Sequence, residues 1–89
     1  EHQEALDRKA QTVLGHYQRS LEDKGLTNVK TVIRRGHPAE EILKTAGDEH
    51  ADMIIVGTRG SRTTHLFMGS VSKEVADHAR VPVLVVKQA

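Results

Sequence analysis

Between residues 57 and 72 the chain places glycines at 57, 60 and 69 and hydroxyls at Ser70 and Ser72, directly after the apolar run Met53-Ile54-Ile55-Val56. These residue types in this order suit an anion. Glycine takes positive φ and lets backbone approach a ligand closely, and free N–H groups at a helix start carry partial positive charge. Gly57 and Gly60 can therefore open a loop that turns its amides toward a phosphate-type group, with Gly69-Ser70 starting the helix that receives it. Neither G-x-x-x-x-G-K-[ST] nor G-x-G-x-x-G is present, so a Walker loop and a dinucleotide fingerprint are both excluded. What favours a ligand over a plain connection is position, because ligands of open α/β sheets bind beyond the carboxyl ends of the strands.

Other chemistry is thin. Six histidines are scattered without i, i+4 pairing, so no metal site is expected. Ser70 and Ser72 have no readable His/Asp partners that would make them nucleophiles, which leaves capping or phosphate contact. Asp48, Glu49 and Asp52 read as a charged turn, and Leu66, Phe67 and Met68 as core packing.

The elements that must hold these residues alternate in type. Leu6, Ala10, Val13, Leu14, Tyr17 and Leu21 recur at helical spacing, which predicts an amphipathic helix closed by Gly25 and weakened by Gly15. Val29 to Arg34 is β-branched but basic, as an edge strand would be. Pro38 opens a second helix with Ala39, Ile42, Leu43 and Ala46 on one face, Glu40 and Glu41 in its first turn, and Gly47 as its stop. Met53–Val56 lacks polar alternation, which predicts a strand buried on both faces of a parallel sheet. A third helix is expected over Ser70–Arg80 with Val71, Val75, Ala76 and Ala79 inward and His78 and Arg80 in its last turn. Pro82 leads into a last apolar strand, Val83–Val86. Helix, strand, helix, strand, helix, strand predicts an α/β fold with a parallel sheet.

Composition bounds the rest. Eighty-nine residues make one small domain at most, 1–89, with 37% hydrophobic and 28% charged residues. No apolar run reaches the roughly 18 residues of a membrane span, so no membrane role is expected. A net charge of +1 and only two aromatics, Tyr17 and Phe67, argue against nucleic-acid partners. The absence of cysteine excludes disulfides and thiolate metal sites and fits a cytoplasmic location. The opening Glu1-His2-Gln3, without methionine, is that of a fragment.

Three motifs in order carry a resemblance: Val32–Leu43; Ala51–Gly60 with Gly69-Ser70-Val71-Ser72; and Val81–Val86. Together they resemble the C-terminal half of a universal stress protein. The resemblance implies a Rossmann-like, adenine-nucleotide alpha-hydrolase-like fold of five parallel strands in the order 3-2-1-4-5. It further implies a homodimer, paired through Val83–Val86, and one branch of the family that binds ATP, with Mg²⁺ as the accompanying ion. That branch carries G-x2-G-x9-G-[ST]. By this pattern Val56, Gly57 and Gly60 lie near ribose and phosphates, and Gly69, Ser70, Val71 and Ser72 at the phosphates. Eight residues separate Gly60 from Gly69 where the pattern has nine, and His37 stands where the family usually caps a helix with aspartate. The family's first two strands, the first of which reads adenine through an aspartate, have no counterpart here and are expected from another segment or chain.

The expected function is a stress-response ATP-binding module that acts as a homodimer and is not an enzyme. The alternative is a relative that binds no nucleotide and serves as a structural or protein-interaction dimer. Slow ATP hydrolysis ranks last, for want of a base or metal carboxylate.

Overall fold

A computed structural model describes residues 2–57 and 69–86, in the order α1 (His2–Asp23), α2 (Pro38–Asp48), β1 (Ile54–Gly57), α3 (Ser70–His78) and β2 (Val83–Val86). The chain divides into two compact units, Glu1–Arg34 and Arg35–Ala89.

The first unit is built on α1. Its end is the one the glycine predicts. Gly25 takes φ +96°, the Leu26 N–H donates to the Leu21 carbonyl at 3.0 Å and the Gly25 N–H to the Glu22 carbonyl at 2.9 Å. That pair of bonds is a Schellman cap, in which the left-handed residue is cheapest as glycine. Beyond it the Gln18 amide donates to the Val29 carbonyl at 3.1 Å. The strand expected over Val29–Arg34 does not form: these residues have no regular secondary structure. A strand exists through ladder hydrogen bonds to a neighbour, and the described residues supply this segment with none. Leu6, Val13 and Tyr17 of the α1 stripe accordingly remain exposed.

The second unit holds the sheet. β1 and β2 pair in parallel, in the register Ile54↔Val83 to Gly57↔Val86, with α3 as the connection. The core comprises Ala39 of α2, Ile54 of β1 and Val75 of α3, flanked by Ile42, Leu43, Val56, Val71 and Val83. Burial on both sheet faces does not hold. Ile54 is 8% exposed, whereas Ile55 is 64% and Leu84 52% exposed. Side chains alternate across a strand, and the helices of this unit cover one face only. An uninterrupted apolar run records what a strand tolerates, not how many layers cover it.

Three helix boundaries and faces also differ from expectation. Gly47 does not stop α2, which runs to Asp48. The left-handed position falls instead on His50, at φ 54°, with its N–H on the Gly47 carbonyl at 3.2 Å and the Ala51 N–H on the Ala46 carbonyl at 2.9 Å. The same double bond pattern closes α1, here with histidine in the glycine position. α3 stops at His78 rather than Arg80, because the backbone turns extended at Ala79 on the way to β2. Ala76 is exposed, while Ser72 joins Val75 as a buried residue of α3. The stripe thus includes a polar residue that its residue type argued against.

Candidate functional site

The site expected from sequence lies where β1 ends and α3 begins. Gly57 is the last residue of β1, and Gly69 is the N-cap of α3, extended at φ −65°, ψ 158°, with no side-chain cap. The first intrahelical bond is donated by the Lys73 N–H to the Gly69 carbonyl, at 2.9 Å. The N–H groups of Ser70, Val71 and Ser72 precede that bond, as orphan donors of a helix start do. No acidic residue occupies this first turn, so the positive end of the helix is not neutralised from within.

Each candidate residue has a distinct place. Ser70 is exposed, Val71 and Val56 are half-buried, and Gly69 is buried. Ser72 is 2% exposed, and its hydroxyl donates to the Gly57 carbonyl at 2.9 Å. That bond joins the strand end to the helix start, a link missed from sequence. The available signal was the position of Ser72 between Val71 and Val75, on the stripe that packs inward. Gly60 lies outside the described residues, as do Leu66, Phe67 and Met68. The structure brings together Gly57, Gly69 and Ser72, with Ser70 at the surface beside them.

Around this site the charges are modest. Lys73 and Asp77 pair one turn apart at 2.9 Å. The hydrogen bond and attraction hold the Asp77 carboxyl below its ordinary value and raise Lys73. His37 caps α2 without a side-chain bond, as expected of histidine in an aspartate position. Its Nε2 instead stands 3.8 Å from the Glu74 carboxylate of α3. Among the described residues no group of three His, Cys, Asp or Glu side chains could hold a metal ion, and no helix is long and apolar enough to cross a membrane.

The sequence profile of the Universal stress protein family matches residues 1–87. The chain belongs to the universal stress protein family. Universal stress protein MJ0577 of Methanocaldococcus jannaschii is 39% identical over 84 residues, which is 93% of this chain and 51% of that protein. A universal stress protein of Thermus aquaticus, encoded in the QAH/OAS sulfhydrylase 3′ region, is 36% identical over 96% of this chain and 63% of its own length. The chain therefore spans between half and two thirds of these relatives. The solved structure of MJ0577 superposes with a TM-score of 0.85 at 38% identity, covering 98% of this chain and 60% of that one. The parallel strands with flanking helices are thus those of a universal stress protein, a Rossmann-like α/β fold.

Proposed function

We propose that this universal stress protein chain is part of an adenine-nucleotide-binding module which holds ATP, with Mg²⁺, at the start of α3. The observation that carries this reading is the start of α3, which among the described residues has no side-chain cap and no acid in its first turn, set against the glycine end of β1 and tied to it through Ser72. Orphan amides on Ser70, Val71 and Ser72 and the exposed Ser70 hydroxyl are the donor set that an anionic phosphate chain requires. Val56 and Gly57 would border the sugar side, with Gly60 following in the loop. In this module binding, not turnover, carries the signal: it works in the cytoplasm, in stress response, as a homodimer. Isothermal titration of the full chain with ATP and Mg²⁺ tests it. Saturable heat that Gly69→Val abolishes is the expected outcome, and no heat up to millimolar nucleotide would sink the reading.

A second reading is favoured by the sheet itself. Leu84 is 52% and Val86 43% exposed on β2, so this strand offers apolar side chains to another chain whether or not nucleotide is bound. On this reading the chain acts as a structural or interaction dimer through Val83–Val86. A stable monomer in sedimentation would count against it.

A further inference from the structure

The opposite end of β1 carries a second feature. A cavity of about 350 Å³ lies between the C-terminal ends of α2 and α3 and the start of β1, at the small end of the range that ligand pockets occupy. Leu43, Ile54 and Val81 give it an apolar lining, and its polar lining is His50, His78 and Arg80, with no acid among the described lining residues.

Two helix C-termini would ordinarily repel an anion, but several of their carbonyls are already engaged, three of them at the end of α2. Thr45, Ala46 and Gly47 accept from the N–H groups of Glu49, Ala51 and His50, and Val75 accepts from Ala79. The Glu74 carbonyl is taken by His78 Nδ1 at 2.9 Å; facing a carbonyl, that nitrogen carries the proton. The polar side chains of the lining are cationic or donating. Among the described residues the Arg80 guanidinium and the His50 ring have no side-chain partner. His50 is also held at φ 54°, where glycine is cheaper, and backbone strain of this kind concentrates at ligand sites.

We propose that this cavity binds a small carboxylate with a compact apolar body: Arg80 pairs with the carboxylate, His50 and His78 flank it, and Leu43, Ile54 and Val81 enclose the body. A transition metal on the two imidazoles is disfavoured by Arg80 in the same lining and by the lack of a third ligand among the described residues.

The test titrates benzoate, benzyl alcohol and, separately, Zn²⁺ into the full chain and follows the amide signals of Leu43, Ile54 and Val81 by NMR. Benzoate is expected to shift these signals and to bind about ten-fold more tightly than benzyl alcohol, with Arg80→Gln removing that preference. Arg80 is exposed, so the variant keeps the fold, which its own amide spectrum checks. His50→Gly is expected to weaken benzoate while raising the thermal midpoint. Equal binding of benzoate and benzyl alcohol, benzoate affinity unchanged in Arg80→Gln, no benzoate binding, or zinc shifting these signals where benzoate does not, would each overturn the proposal.

Discussion

Helices α2 and α3 begin in opposite ways. α2 opens with Pro38 in its first turn and Glu40 and Glu41 beside it, so one orphan donor is deleted and the positive end is met by the helix's own carboxylates. α3 opens behind Gly69 with neither proline nor acid in its first turn, while neither helix has a side-chain cap bond. Both helices pack into one core through Ala39 and Val75, so packing does not explain the contrast. Among the described residues, one helix start is met by the helix's own carboxylates and the other is not.

The contrast can be broken or sharpened by substitution. The largest effect is expected where the two helices share a core: Val75 is fully buried, and Val75→Ala should destabilise the second unit by about 2–3 kcal/mol through lost burial and the cavity left behind. Chemical denaturation followed by far-UV circular dichroism reads this directly. Next comes Ser72→Ala, which removes the donor to the Gly57 carbonyl and should cost about 1–2 kcal/mol in the same assay. Ser70→Glu makes α3 resemble α2. It should stabilise the ligand-free chain by about 0.3–1 kcal/mol while weakening ATP about ten-fold in calorimetry. If both quantities stay put, the contrast has no functional content.

The smallest effect belongs to the Lys73–Asp77 pair, which is fully exposed. The folded-state value of Asp77 is lowered from 3.8, so the contribution of its charge is complete above that ordinary value and is lost as pH falls through the lowered one. Asp77→Asn should therefore bring a slight drop in thermal midpoint at neutral pH that disappears in acid.

Much of this was legible in the residues. Gly25 marked the end of α1, Pro38 the start of α2, and the two apolar runs the paired strands, because each rests on a local preference that the fold respects. The failures share one cause, since they concern what lies next to an element. Val29–Arg34 has strand composition but no neighbouring strand to pair with among the described residues. Ile55 and Leu84 are apolar without being covered. Gly47 was credited with ending α2, yet the tight bond pattern closes three residues later on His50, a residue that rarely takes positive φ. The bond from the Ser72 hydroxyl to the Gly57 carbonyl was not foreseen. It depends on where the end of β1 comes to lie, and no local preference encodes that.

The bond from Ser72 to Gly57 also acts as a clasp on chain length. It pins the ends of the stretch from Gly57 to Ser72, and the length of that stretch enters the stability through the entropy of closing it. That entropy varies with the logarithm of loop size. Fourteen residues lie between Gly57 and Ser72, so one residue more or less changes it by less than about 0.1 kcal/mol. In closure entropy, then, a change of one residue in this connection is nearly silent, and the clasp lets its length vary at little entropic cost to the strand and helix it joins.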